Sequence, residues 1–84
     1  MDFVREQIQT KMEQGALPRT PPQKVSVEYG SGGVCEGCDA EIRDGEVMHE
    51  AVLPGGRALS FHGACELTWR ALIAAFLARI YYGL

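Results

Sequence analysis

Two short pairs of cysteine and histidine residues constrain the fold of this chain more than any other feature of its sequence. The first pair is Cys35-x-x-Cys38, the second is His62-x-x-Cys65, and the 23 residues 39–61 separate them. These pairs contain all three cysteines of the chain and one of its two histidines. Because a two-residue gap lets one turn direct both side chains of a pair at a single ion, the spacing predicts a zinc site with four protein ligands.

A zinc ion with four protein ligands has no coordination position left for water or substrate. We therefore expect one structural Zn²⁺ per chain rather than a catalytic one. Two other interpretations of the cysteines remain open: they can be small buried apolar residues, or Cys35 and Cys38 can form a redox pair. A redox pair usually stands at the start of a helix, whereas here the pair follows a glycine-rich segment and precedes a predicted hairpin.

The segments around the two pairs resemble a single treble-clef zinc finger. The segment CEGCDAEIRDGE (35–46), followed by FHGAC (61–65) and a helix, is similar to the first finger of a LIM domain and to the fingers of poly(ADP-ribose) polymerases. It is also similar to small uncharacterised bacterial zinc-finger proteins that carry one such finger. The likeness covers roughly half the chain, and a LIM domain would continue into a second zinc site, for which this chain has no further cysteine.

This resemblance implies a knuckle at the first pair, then a β-hairpin, and a His-x-x-Cys pair at the start of the last helix. A LIM-like finger implies a protein-interaction module, and a polymerase-like finger implies nucleic-acid binding. The implied metal ligands are Cys35, Cys38, His62 and Cys65, with Ile42 at an apolar position and Gly45 at a turn position after the knuckle.

The length and composition of the chain favour a small metal-stabilised domain. Eighty-four residues make one domain, and a chain this short commonly needs a metal, a disulfide or a partner subunit to stabilise it. Three cysteines cannot all pair within one chain, and the N-terminal MDFVREQ lacks the basic and apolar regions of a signal peptide. We therefore expect a reduced, cytoplasmic protein.

The N-terminal part of the chain, residues 1–23, is predicted to form a helix and a proline-rich strap. The helix is expected over residues 2–14, with Asp2 as its N-cap and Gly15 as its stop. Three prolines prevent regular structure over residues 17–23. The helix carries an apolar stripe at helical spacing, which we expect to pack in the core: Phe3, Val4, Ile8 and Met12.

Residues 24–84 are predicted to form the finger itself, which makes the fold α+β. Val25, Val27 and Tyr29 alternate with polar residues, as in a half-buried strand. Residues 46–53 and 57–61 read as two strands joined through Pro54-Gly55-Gly56, which favours a hairpin.

Neither the histidine within the hairpin nor the acidic residues near the knuckle are expected to bind metal or to act as acid/base groups. His49 lies mid-strand, far in sequence from either ligand pair, and is therefore a weaker candidate ligand than His62. The acidic side chains are expected to form a solvated surface rather than an acid/base pair. They are Glu36, Asp39, Glu41, Asp44, Glu46 and Glu50.

The last helix is predicted to run from His62 to Tyr82 and to stop at Gly83. Residues 71–78 are apolar on every side, and this run, bounded by arginines, is too short to span a membrane. A helix that is apolar all round must be covered all round. We therefore predict a homodimer, or an unidentified protein partner, that contacts residues 67–82. The candidate contacts are Trp69, Leu72, Ile73, Phe76, Leu77 and Ile80.

Three classes of function are compatible with these features. The favoured one is a zinc-stabilised protein-interaction or dimerisation module without catalytic activity. Nucleic-acid binding is an alternative, but the chain has a net charge of −3, and binding phosphates requires several converging cations. A thiol redox or zinc-release sensor is the third class. No Ser/His/Asp or paired-carboxylate arrangement stands out, so we do not expect an enzyme.

Overall fold

The computed structural model of the chain describes residues 3–30 and 32–83. These residues form two helices and, between them in the sequence, the three strands of one antiparallel sheet. This arrangement confirms the predicted α+β class. The elements are α1 (Phe3–Glu13), β1 (Lys24–Tyr29), β2 (Val47–Val52), β3 (Ala58–His62) and α2 (Gly63–Tyr82).

The sheet has the order β1-β2-β3, so the predicted hairpin forms its second and third strands. Val25 lies opposite Ala51, and Ala51 lies opposite Leu59. The hairpin turn uses Gly55 and Gly56 with φ of +99° and +95°, which residues with a Cβ atom rarely adopt. The sequence Pro54-Gly55-Gly56 therefore fixes both the turn and the register of the hairpin.

The core lies between the sheet and α2, which packs against β2 and β3. The rings of Phe61 and Trp69 stack with centroids 5.0 Å apart, and both side chains are fully buried. The indole Nε1–H of Trp69 donates to the carbonyl oxygen of Pro18 at 2.9 Å. This bond, together with the buried Leu17, holds the proline-rich strap against the core.

Helix α1 packs against α2 through a narrower stripe than the sequence predicts. Ile8 and Met12 are buried and Val4 packs beside them, whereas the Phe3 side chain is 75 % exposed. The inclusion of Phe3 in the core stripe is therefore wrong, because at 3.6 residues per turn Phe3 lies about 140° around the helix from Ile8 and about 180° from Met12. Gly15, with φ of +81°, follows the helix as predicted. The predicted cap Asp2 lies outside the described residues.

Strand β1 forms as predicted, but its burial differs from the expected pattern. Val27 and Tyr29 are 70 % and 77 % exposed, although both belong to the apolar alternation. The reason is that α2 packs mainly on β2 and β3 and leaves this part of β1 uncovered. Of the three alternating residues, Val25 alone packs against the core.

Helix α2 has the predicted length, ending at Gly83 in the left-handed conformation with φ of +67°. Trp69, Leu72 and Ile73 are buried inside this chain, so their assignment as dimer contacts is wrong. They are the residues through which α2 covers its own sheet and α1. Across residues 3–30 and 32–83, none of the helices combines the length and the apolar character that a membrane span needs.

Candidate metal centre

The first ligand pair lies in a tight loop closed by backbone hydrogen bonds. Val34 and Glu41 form an isolated antiparallel bridge. Inside it, the Cys35 amide donates to the carbonyl oxygen of Ala40, and the Asp39 amide donates to that of Cys35, each at 2.9 Å. This closure matches the knuckle that the resemblance implies.

A glycine at position 37 allows the knuckle to approach the helix that carries the second pair. A Cβ atom added to Gly37 would lie 3.1 Å from Cβ of Cys65 and 3.2 Å from Cδ1 of Ile8. Both distances are shorter than ordinary van der Waals contact, and Gly37 is itself buried. Of the two residues between Cys35 and Cys38, the second is therefore restricted to glycine, because a Cβ atom there would press on Cys65 and Ile8.

The second ligand pair spans the junction of β3 and α2. His62 is the last residue of β3 and the N-cap of α2, and Cys65 lies in the first helical turn. Unpaired amide groups at a helix N-terminus carry a partial positive charge that stabilises nearby thiolates. The direct junction of strand and helix thus places the pair and a favourable dipole at the same point.

The structure brings all four predicted ligands together. Sγ of Cys35, Cys38 and Cys65 and a ring nitrogen of His62 lie within 4.8 Å of one another. Nδ1 of His62 is 3.3 Å from Sγ of Cys38 and 4.0 Å from Sγ of Cys65. Cys35 and Cys65 are buried, and Cys38 and His62 are half-buried. All three cysteines are free thiols.

Hydrogen bonding at the far side of the His62 ring selects the tautomer that suits a metal ligand. Nε2 lies 3.1 Å from the carbonyl oxygen of Glu41, which can only accept, so Nε2 carries the proton. Nδ1 is then left with a free lone pair directed at the sulfur atoms. An orienting bond of this kind on the second ring nitrogen is typical of histidine ligands.

The three thiols differ in how readily they ionise. Burial disfavours the Cys35 thiolate, but backbone amides of Cys38, His62 and Gly37 offset this effect and hold its pKa below the ordinary 9.0. Burial, followed by the proximity of Cys35 and Cys38, raises the pKa of Cys65 well above that value. Three thiolates therefore require a cation among them to offset their mutual repulsion.

The donor set and its dimensions fit one metal ion. Zinc with metal–sulfur bonds of about 2.3 Å has neighbouring ligand atoms about 3.8 Å apart. Since the four atoms already lie within 4.8 Å, movements of about 1 Å or less would complete a tetrahedron. Three sulfurs and one imidazole are softer ligands than magnesium or calcium prefer, and they suit zinc.

His49 is not part of this cluster, and its environment contains a residue that the sequence interpretation missed. Its Nδ1 lies 2.8 Å from Oε1 of Glu66, whose side chain is fully buried. Glu66 also contacts Arg70, four residues further along α2. The i, i+4 spacing of Glu66 and Arg70 in a mostly apolar helix was a sequence signal for the Glu66–Arg70 ion pair.

The residues after the knuckle occupy the environments that the resemblance implies. Ile42 is fully buried, and Gly45 stands in a turn with φ of +83°. Comparison with known proteins gives no family assignment, because no family model, no curated protein and no solved structure matches the chain. The likeness to LIM and polymerase fingers therefore depends on the residues of the chain itself.

Proposed function

We propose that this chain is a small protein-interaction module stabilised by one structural zinc ion, with Cys35, Cys38, His62 and Cys65 as the ligands. The observation that carries the proposal is the convergence of these four side chains, from two distant segments, within 4.8 Å of one another. Every cysteine of the chain takes part. Zinc binding in small fingers is worth about 10–16 kcal/mol, comparable to or larger than the whole stability of a small domain.

The order of elements around the cluster supports a treble-clef finger of the LIM-like type. A knuckle carries Cys35 and Cys38, the β2–β3 hairpin follows, and α2 begins directly after His62. The role we propose for the metal is to hold the knuckle against α2. With four protein ligands, zinc has no open position at which to activate water or substrate, so we assign it no catalytic step.

The interaction role is supported by apolar surface at the C-terminal end of α2. Ile80 is 62 % exposed, and Tyr81 and Tyr82 are more exposed still. Leu77, one turn before Tyr81, is half-buried. Contiguous exposed apolar side chains mark interaction sites, and we propose that these turns of α2 pack against a second copy of the chain.

Native mass spectrometry with and without chelator tests both parts of this proposal, because one spectrum reports metal content and oligomeric state. We expect one zinc per chain in a dimer, and loss of the metal on chelation. A metal-free monomer containing a Cys35–Cys38 disulfide would contradict the proposal and would favour a thiol redox function. A monomer with one zinc per chain would leave the metal site intact and reject the homodimer.

A further inference from the structure

We infer that the groove between α1 and α2 is a binding site for a small organic acid, that is, a carboxylate attached to an apolar body. The groove has a volume of about 240 Å³ and receives residues from α1, from the strap and from α2. It contains none of the four metal-ligand candidates. The inference therefore goes beyond the proposed zinc-stabilised module.

The groove concentrates positive charge on an acidic protein. Arg5 from α1, Arg19 from the strap and Arg79 from α2 all line it, and Glu13 is the acidic residue among its lining residues. The groove thus has a net charge of +2, whereas the chain as a whole has a net charge of −3. Guanidinium groups present paired N–H donors that match the two oxygens of a carboxylate.

Two of these arginines have no acidic partner in the part of the chain that the structure describes. Among residues 3–30 and 32–83, no carboxylate forms an ion pair with Arg19 or with Arg79. The guanidinium of Arg19 instead lies over the Phe76 ring, 4.6 Å from its centroid. This cation–π contact holds Arg19 beside the groove while leaving its N–H groups available for an anion.

The floor of the groove is apolar. Met12 and Leu72 are buried and Phe76 is half-buried, and all three line the groove. An inorganic anion would leave this surface in contact with water, whereas an apolar body would cover it. The combination of an apolar floor and a cationic rim is typical of sites for amphipathic ligands.

The volume of the groove indicates how large a ligand body it can hold. The 240 Å³ of the groove equals the liquid volume of about eight water molecules. Drug-sized ligands occupy pockets of about 300–1,000 Å³. The groove therefore suits a small ligand such as an arylalkanoic acid, with one ring and a short chain.

The test uses 4-phenylbutyrate as the ligand, its neutral analogue 4-phenylbutanamide, and inorganic phosphate. Each is titrated into the isotopically labelled, zinc-supplemented protein, and amide chemical shifts are followed by NMR. We expect saturable shifts that centre on the groove with 4-phenylbutyrate, and binding about tenfold weaker or more for the amide. Equal binding of acid and amide, equal binding of phosphate, or the absence of saturable shifts would overturn the inference.

Variants that remove equal charge distinguish binding in the groove from a general electrostatic attraction of the ligand to the protein. Arg19→Gln/Arg79→Gln removes two guanidiniums from the groove, and Arg43→Gln/Arg57→Gln removes two exposed ones elsewhere. We expect the first variant to weaken 4-phenylbutyrate binding about tenfold or more and the second to leave it unchanged. Equal weakening in both variants would overturn the inference.

Folding and zinc binding are controlled separately. Arg79→Gln alone keeps the Arg19–Phe76 contact and is expected to weaken binding at an unchanged thermal midpoint. Unaltered binding by this variant would count against the site. Zinc content, measured on the same samples, reports on the proposed metal centre independently of the groove, so failure of one proposal is distinguishable from failure of the other.

Discussion

Nδ1 of His49 lies 2.8 Å from Oε1 of Glu66, and this contact joins the middle of β2 to the first turns of α2. Glu66 is fully buried and directly follows the ligand candidate Cys65. Its Oε1 also accepts a hydrogen bond from Nη2 of Arg70 at 2.9 Å. Oε2 lies 2.5 Å from Nε of Arg70, at an angle that does not make a hydrogen bond.

This relationship predicts that the pair orients α2 relative to the sheet. His49→Leu leaves a buried carboxylate oxygen with one partner fewer, and we expect it to lower the free energy of unfolding by about 1–3 kcal/mol. In this variant Arg70 still interacts with the Glu66 carboxylate. Because the Arg70 side chain is 45 % exposed, solvent screens that interaction. Urea denaturation of the zinc-supplemented protein measures the effect.

The double variant His49→Leu/Glu66→Leu serves as the control for this prediction. It replaces both partners by apolar side chains, so no carboxylate oxygen is left in the core without the His49 ring nitrogen. We expect it to cost less than the sum of the two single variants. Strict additivity would mean that His49 and Glu66 do not act as a pair.

Gly37 sets the separation between the knuckle and α2. In Gly37→Ala the added Cβ would lie 3.1 Å from Cβ of Cys65, so either the knuckle or Ile8 must move. We expect a loss of about 1–3 kcal/mol in stability and weaker zinc binding in a chelator competition. Gly33→Ala is the matched control because it opens onto free space without positive φ. Equal effects of the two variants would contradict this role of Gly37.

Zinc binding should release protons, because Cys65 holds its proton more tightly than an ordinary thiol. Its pKa is raised by burial and by the neighbouring Cys35 and Cys38, whereas zinc binds the thiolate. We expect the heat of zinc binding near neutral pH to depend on the ionisation enthalpy of the buffer. The Cys65→Ser variant should release about one proton fewer.

The same linkage sets the pH dependence of stability in the zinc-bound protein. Bound zinc depresses the pKa of the ligating thiols below their ordinary value of 9.0. A depressed pKa contributes stability that is complete above the unfolded value and is lost as pH falls. The thermal midpoint in excess zinc should therefore rise between about pH 6 and pH 8. A midpoint that is independent of pH would argue against thiolate coordination.

The proposed dimer predicts a specific effect at the end of α2. Ile80→Glu places a charge in the exposed apolar surface and should convert the dimer to a folded monomer whose thermal midpoint no longer depends on protein concentration. Ala71→Glu introduces the same charge on the opposite side of the helix, since nine residues correspond to about 180°. Sedimentation velocity measures the oligomeric state of both variants, and we expect Ala71→Glu to remain a dimer. A dimer that survives Ile80→Glu would place the interface elsewhere.

The sequence predicted most of the fold because its strongest signals are local. Gly55 and Gly56 mark the hairpin turn, Gly83 marks the end of α2, and the x-x spacing marks both ligand pairs. Burial was harder to predict, because alternation does not reveal which strands of the sheet a helix will cover. Val27 and Tyr29 have the pattern of core residues, but they lie where α2 does not cover the sheet.

The division of α2 between core and surface also could not be read from its composition. Trp69 and Phe76 are both aromatic residues in an apolar helix, yet one is fully buried and the other is half-buried beneath Arg19. Trp69 lies where α2 packs on the sheet and stacks on Phe61, whereas Phe76 lies about two turns further along the helix. The Trp69 indole also donates to the carbonyl oxygen of Pro18 in the strap. That contact joins residues 51 positions apart and has no local signal.

X-ray absorption at the zinc edge, on the purified protein loaded with one equivalent of zinc, tests the central claim most directly. Coordination by Cys35, Cys38, His62 and Cys65 predicts three sulfur atoms at about 2.3 Å and one nitrogen at about 2.0–2.1 Å, with no oxygen ligand. Cys38→Ser should reduce the sulfur count to two. A spectrum of the native protein with fewer than three sulfurs, or with a water oxygen in the first shell, would contradict the structural site.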